Sequence, residues 1–540
     1  DDLSALHTTG RTLEFASFSV DPDKKRIYSD PEVTIRIIKE PGMNDRYQVR
    51  FFSDYEVQIR HEHERGLAYA FRMLATIKTV MIGIYEGGPE FKIRGIIEGF
   101  YGKPWSHDDR LDALDFMRDA GMNAYFYAPK DDSYHRHSWR KLYPRKELSQ
   151  LLELVERANR NLIDFYFSIS PGNDFDYADD HEFGLLFDKI DQLLAHGVNR
   201  FALLLDDIDY ELTGKNKERF KRPGLAHAFI TNRLNEHLKK KLEDYVLVMC
   251  PTEYAQNWNT VYRKDLKETM DPDVLVFWTG YNTVAEYIPD QDGERVKKIF
   301  GHDLILWDNY PVNDMATDRI FLGPIVNRGK NLAQTHVGII ANPMVEWHLS
   351  KVSLLTMADY MWAPHDYDPD ASYDRALRKL TEDQPELRVD LKAFTENNRD
   401  SLIRRYTVKA IDKAIEGLDM DALHKYFTQT NNSFARLKIH YRNRPFIDQA
   451  MPWFNRFDQD FALFDKIRQK TATRADAAYI GQAKHTLGSN VIACLSQKLG
   501  LYDGPIHRKA YADFWDDMKS DRDETVRTRV SDKKKADDVD

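Results

Sequence analysis

Cysteine is scarce in this 540-residue chain: Cys250 and Cys494 stand far apart, and neither belongs to a CxxC or Cys/His cluster. Neither a disulfide framework nor a zinc site is therefore indicated, and the usage fits a reducing compartment. No run of about 18 apolar residues occurs, so no membrane-spanning helix is expected. The first residues, DDLSALHTTG, lack the basic and apolar regions of a signal peptide. The expectation is a soluble chain, cytoplasmic rather than secreted, with no membrane partner. Charge of one sign does not accumulate either: the net charge is -10 and acidic and basic residues are interspersed. No face reads as a polyanion footprint, so nucleic acid is not an expected partner.

Hydrophobic residues make up 42% of the chain, enough for large buried cores. At roughly 100 to 200 residues per domain, the length suggests about three domains. Residues 1–91 alternate in a strand-like way at VTIRIIKE and YQVRFF and turn helical at HERGLAYAFRMLATI, which reads as a small α/β domain. From Lys92 the rhythm changes. Apolar, β-branched runs at 94–98, 123–127, 164–169, 201–205, 245–249, 274–278, 303–307 and 336–340 alternate with amphipathic helical segments. That pattern predicts a (β/α)8 TIM barrel over 92–361. A doubly wound open sheet shares the alternation, but eight consecutive units favour closure. The first barrel helix is the best marked, with Ser106 as N-cap, Asp108 and Asp109 in its first turn and Gly121 just past its end.

Strand patterns disappear after Met361, and ALRKLTE, LIRRYTVKAIDKAIEGL and MPWFNRFDQDFALFDKIRQK carry helical spacing, so 362–528 is expected to be an all-helical domain. Its aromatics Trp453, Phe454, Phe457, Phe461 and Phe464 recur at core spacing and read as packing first. The small, charged residues 529–540 are expected to form a flexible tail.

The most informative stretch is FALLLDDID, where an apolar run stops at Asp206 and Asp207 with a third carboxylate at Asp209. Adjacent like charges repel, so one of the pair readily keeps its proton. In a barrel the loops after the strands build the site, so the residues just past each run take a census of the pocket. They include Gly99 to Gly102, Lys130 to Asp132, Ser170 to Asn173, Asp206 and Asp207, Cys250 to Tyr254, Thr279 to Asn282, Asp308, Asn309 and Asp314, and Asn342. Short hydroxyl, amide and carboxylate groups of this kind, flanked by Trp278 and Trp307, suit a sugar ring with polar edges and C–H faces.

Paired carboxylates suit glycoside cleavage, in which one acid protonates the leaving oxygen while another group stabilises an oxocarbenium-like carbon. Neighbours on a strand point to opposite faces, so the strand must be ending for both Asp206 and Asp207 to reach the mouth. A nucleophile and an acid across the ring are hard to build from adjacent residues. That favours substrate assistance, where the sugar's own 2-acetamido oxygen attacks the anomeric carbon. Other readings stay open. Asp207 and Asp209 form a DxD that could hold a divalent metal; Glu211 could be the acid of a chitinase-like DxDxE run; Glu253 could serve as a second carboxylate; or the stretch could be a solvated acidic loop. His135 and His137 could bind metal but more simply shape a rim loop.

The motifs GIIEGFYGKPW, YAPKDD, FALLLDDID, CPTEY, LWDNYPVND and ANP, in that order, resemble those of family 84 glycoside hydrolases, bacterial O-GlcNAcase-like β-N-acetylglucosaminidases. The resemblance implies a retaining, substrate-assisted enzyme that passes through an oxazoline. Asp206 would orient and polarise the acetamido group, and Asp207 would act as general acid and then as base. Gly99 through its backbone, with Lys130, Asp314 and Asn342, would hold the ring hydroxyls. Asn309 would contact the acetamido region, and Tyr254, Trp307 and Cys250 would line its pocket. No cofactor and no metal are implied, and the partner would be a GlcNAc-bearing glycoprotein, glycopeptide or glycan. A family 20 hexosaminidase-like enzyme pairs Asp with Glu rather than Asp with Asp. A silent glycan-binding barrel would have little use for an intact pair.

Overall fold

The first segments form a five-stranded sheet: β1 (Thr12–Phe15), β2 (Val33–Lys39), β3 (Tyr47–Ser53), β4 (Glu56–His61) and β5 (Gly83–Gly87), in the order β1-β2-β4-β3-β5. Only the β2–β4 pair is parallel. Alternation along β2, β3 and β4 sends Ile35, Ile37, Val49, Phe51, Val57 and Ile59 to one face, where Leu67, Ala70 and Leu74 of helix α1 (Glu64–Thr76) cover them. Burying each large apolar side chain contributes about 1.5–3 kcal/mol, which fixes the register. These details come from a computed structural model, which describes residues 12–15, 33–53, 56–76, 82–481 and 484–504. The opening DDLSALHTTG and the tail 529–540 lie outside the described residues.

Eight parallel strands follow and close on themselves: β6 (Ile93–Ile97), β7 (Ala124–Tyr127), β8 (Asp164–Ile169), β9 (Arg200–Leu204), β10 (Val246–Cys250), β11 (Leu275–Trp278), β12 (Leu304–Pro311) and β13 (His336–Asn342). The expected (β/α)8 barrel is present, each strand within a few residues of the predicted apolar run. Its interior is filled rather than hollow. Ile97, Phe126, Tyr166, Leu204, Cys250, Phe277, Ile305, Trp307 and Ile340 share one cluster, with Phe126 stacked on Tyr166 at 4.0 Å between ring centroids.

The helices between the strands are α2 (His107–Ala120), α3 (Arg145–Arg160), α4 (Asp180–Leu194), α5 (Gly214–Phe220), α6 (Pro223–Lys241), α7 (Val261–Thr269) and α8 (Asp290–Phe300), and α9 (Trp347–Trp362) follows β13. Helix α2 is capped as expected: Ser106 and Asp109 form a reciprocal capping box, and Gly121 ends the helix in the left-handed region at φ 78°. An Arg110 fork on α2 grips the buried Glu98 carboxylate at 2.7 and 2.8 Å, and Tyr125 donates to it at 2.8 Å. Burial pushes the Glu98 carboxyl up even against that cation.

Beyond α9 the elements are helical: α10 (Pro369–Leu380), α11 (Pro385–Asn397), α12 (Lys409–Gly417), α13 (Met420–His440), α14 (Arg444–Arg468) and α15 (Leu487–Lys498). The chain divides into two compact units, Asp1–Val312 with Ile325–Trp347 and Leu354–Ser372, and Asn313–Pro324 with His348–Ser353 and Tyr373–Asp540. In the second, Trp453, Phe454, Phe457 and Phe464 are buried, as their spacing predicts, and Phe457 lies 4.8 Å from Phe434. Among the described residues no helix is long and apolar enough to cross a membrane.

Candidate active site

The barrel ends β9 at Leu204, and one further ladder bond, from Leu205 N–H to Cys250 O at 2.9 Å, carries the chain to the carboxylate pair. Pairing stops there, so Asp206 and Asp207 leave the alternation of the strand and both face Lys130. Its ammonium lies 3.0 Å from Asp207 Oδ2 and 3.9 Å from Asp206 Oδ2. The side chain of Asp206 is 11% exposed and that of Asp207 34%, so the first is embedded and the second reaches the mouth. The pair is a built ionic cluster rather than a solvated acidic loop.

Tyr101, which the sequence census included without a role, donates its phenol proton to the same Asp207 oxygen. Its ring centroid is 4.7 Å from the Lys130 ammonium and 5.9 Å from the Arg136 guanidinium. The electrostatics of the two acids diverge. Burial pushes the Asp206 carboxyl up, with the Asp207 charge adding to it against Lys130. For Asp207 burial acts in the same sense, but Lys130 and the Tyr101 hydrogen bond outweigh it and hold the carboxyl below the usual range. Lys130 is held above its ordinary value because Asp206 and Asp207 outweigh its desolvation. The two neighbours are thus shifted in opposite directions, Asp206 up and Asp207 down.

A second cluster joins the strand ends β11, β12 and β13. Asn309 Oδ1 accepts from Trp307 Nε1 and from Asn342 Nδ2, both at 2.9 Å, and Asn309 Nδ2 donates to Thr283 O at 2.7 Å. Tyr254 meets Thr283 through their hydroxyls at 3.4 Å. Thr283 thus touches two of the expected residues, yet it lies one residue past the stretch counted after β11. Asn342 Oδ1 is buried with no hydrogen-bond partner, an acceptor awaiting a donor. Cys250 is a buried free thiol, pushed well up by burial and by Asp206. Gly99 has no room for a side chain: a Cβ there would stand 2.8 Å from Trp307 Cζ2. Asp314 lies in the Asn313–Pro324 segment of the second unit.

Some expectations are corrected. Trp278 does not flank the pocket. Its neighbour Phe277 takes the inward position, and Trp278 is fully buried on the other side of the strand, donating to Gln256 O at 2.9 Å and stacked on His336. Glu253 is not a free second carboxylate, because Oε2 accepts from Thr260 Oγ1 at 2.5 Å and lies 3.5 Å from Arg263 Nε. His135 shapes a loop: its Nε2 meets Pro129 O at 2.8 Å, and burial pushes its pKa down to about 4. Among the described residues no group of three or more His, Cys, Asp or Glu could hold a metal ion.

A closed barrel with an adjacent carboxylate pair at the carboxyl end of one strand, beside an amide and aromatic cluster, is the architecture of a barrel glycoside hydrolase. The family model described as beta-N-acetylglucosaminidase matches residues 94–396, and the chain belongs to that family. It is 35% identical over 280 residues to the protein O-GlcNAcases of Rattus norvegicus and Mus musculus, a match that covers 51% of this chain and 30% of each relative. The chain thus spans less than a third of the length of those relatives. Among solved structures, that of CpGH84B superposes with a TM-score of 0.73 at 29% identity, covering 85% of this chain and 87% of that one. A variant of the Thermobaculum terrenum O-GlcNAc hydrolase gives 0.69 at 28% identity, covering 76% and 96%.

Proposed function

We propose that the chain is a retaining exo-β-N-acetylglucosaminidase that hydrolyses terminal β-linked GlcNAc by substrate assistance. The observation that carries this reading is the pair itself, with both acids within 4 Å of Lys130 at the end of β9 in a chain of this family. In the first step the acetamido oxygen bonds to the anomeric carbon as the glycosidic bond breaks, and Asp207 gives its proton to the leaving oxygen. Asp206 accepts from the acetamide N–H and stabilises the positive oxazolinium. In the second step water attacks the same carbon, Asp207 takes a proton from it, and the oxazoline opens with net retention.

This sequence needs Asp206 ionised and Asp207 protonated, against the directions in which burial and Lys130 shift the two acids. Substrate supplies the reversal. An acetamide N–H favours the charged form of Asp206, while a sugar hydroxyl that engages Lys130 relieves Asp207 of its counter-ion. Asn342 Oδ1 offers an unused acceptor for a ring hydroxyl, and the Gly99 backbone would offer another partner. Asn309, Tyr254, Trp307 and Cys250 would enclose the acetamido methyl and carbonyl.

The names of the rodent relatives point to GlcNAc on protein Ser or Thr as the substrate, and we carry that over as part of the proposal. Turnover of 4-methylumbelliferyl β-GlcNAc tests the reaction: a glycan-binding barrel would bind GlcNAc and release no fluorophore. Proton NMR of the first-formed sugar should show the β anomer, and an α product would refute retention. GlcNAc release from a modified protein should exceed release from a free glycan.

A further inference from the structure

We propose that Asp132 is a positioning residue that sets where the Lys130 ammonium stands against Asp206 and Asp207. The inference deepens the reading above and rests on it. The loop that leaves β7 at Tyr127 sends Lys130 to the carboxylate pair and, two residues later, Asp132 into a separate knot of hydroxyls. Asp132 Oδ2 accepts from Tyr127 OH at 2.9 Å and from Tyr143 OH at 2.7 Å, and Oδ1 accepts from the Tyr134 N–H at 2.8 Å. Tyr127 belongs to the barrel wall and Tyr143 stands two residues before the first residue of α3, so the carboxylate ties the loop to the wall and to the entry of that helix.

The remaining bonds hold the backbone on either side of Lys130. Pro129 O accepts from the Asp132 N–H at 3.1 Å and from His135 Nε2 at 2.8 Å. Burial keeps His135 neutral near pH 7, and a carbonyl can only accept, so Nε2 carries the proton. The buried Lys189 of α4 donates to Tyr134 O at 2.9 Å and lies 4.3 Å from the Tyr143 ring centroid. Three donors converge on one carboxylate. An asparagine at 132 can keep the Tyr134 N–H only by turning its NH2 to the two phenols, which must then accept instead of donate, so both charge-assisted O–H···O⁻ bonds are lost. A displacement of about 1 Å at a reacting centre can cost on the order of 10²-fold in rate, and Lys130 is only two residues from the knot.

The test is a double-mutant cycle of Asp132→Asn and Lys130→Met, read as kcat and KM on 4-methylumbelliferyl β-GlcNAc, as GlcNAc dissociation constants by calorimetry, and as melting curves. Asp132→Asn should raise KM and the GlcNAc dissociation constant about tenfold, and in the Lys130→Met background it should add less than about twofold. Losses that simply multiply in the double variant would overturn the proposal. So would an unchanged KM and dissociation constant with kcat falling in step with the folded fraction, which is all that a structural role predicts. If Asp132→Asn does not fold, Tyr143→Phe takes its place in the cycle and is read the same way. A wild-type protein that binds GlcNAc without turnover removes the proposed reaction and leaves the dissociation constants to decide on Asp132. One that neither binds nor turns over removes both.

Discussion

The Lys130 ammonium stands 3.0 Å from Asp207 Oδ2 and 3.9 Å from Asp206 Oδ2, so a single cation faces both carboxylates of the pair. Lys130 favours the charged form of both acids. Lys130→Met removes that cation, so both apparent constants of the coupled pair rise. The active form carries one proton on the pair, which makes the pH profile of kcat/KM a bell bounded by those constants. The whole bell should therefore move to higher pH, in addition to any loss of height. A profile that keeps its position would show that Lys130 does not govern the pair.

Asp207→Asn separates the acid from the orienting carboxylate. Without a proton donor, a poor leaving group such as an alkyl alcohol should lose on the order of 10²-fold or more in kcat, while an activated dinitrophenyl glycoside should lose far less. Binding of GlcNAc should persist. Equal losses on both substrates would remove Asp207 from the role of acid.

Asp206→Asn should instead impair both substrates together. Its task is to steady the acetamide and the oxazolinium, which every leaving group needs. A variant as active as the wild type on the dinitrophenyl glycoside would exclude Asp206 from the mechanism.

Arg110→Met should destabilise the barrel by about 3–5 kcal/mol, because it strands the fully buried Glu98 without its cation. The folded-state pKa of Glu98 is already raised, and losing Arg110 raises it further, so the deficit against wild type shrinks as pH falls through those two raised folded-state values, where Glu98 becomes protonated in both proteins. Thermal melts from pH 7 to pH 4 should show the deficit shrinking. Adding Glu98→Gln should restore part of the stability at pH 7.

The barrel was legible in the chain because parallel strands are buried on both faces and read as short apolar runs, while Ser106 and Gly121 punctuate α2 in the expected way. Asp206 and Asp207 were legible because a strand that ends in two acids has no packing explanation. What periodicity could not supply was the face of each residue within a run. Trp278 and Trp307 both precede polar strand ends, yet only Trp307 shares parity with the inward Phe277 layer, a matter of barrel stagger rather than local sequence. The divergence of Asp206 and Asp207 was hidden for a different reason. It depends on burial and on Lys130 and Tyr101, residues 77 and 106 positions from Asp207 in the chain.

Gly99 offers a steric test of the pocket that leaves its charges alone. The residue after Glu98 has ordinary room in sequence terms, but a Cβ would come within 2.8 Å of the Trp307 ring, closer than carbon atoms tolerate. Trp307 is held from its other edge by its bond to Asn309 and by packing 5.3 Å from Phe277, so the indole cannot simply swing aside. Gly99→Ala should therefore displace Trp307 and disturb the Asn309 and Asn342 amides with it. Overpacking of this kind costs about 1–3 kcal/mol, which leaves the barrel folded. The expected outcome is a rise in KM of about tenfold or more on the methylumbelliferyl glycoside, with kcat less affected and a melting temperature lowered by only a few degrees. Should KM stay at the wild-type value, the space between Gly99 and Trp307 would not belong to the sugar site. The acetamido pocket would then have to lie elsewhere around the barrel mouth.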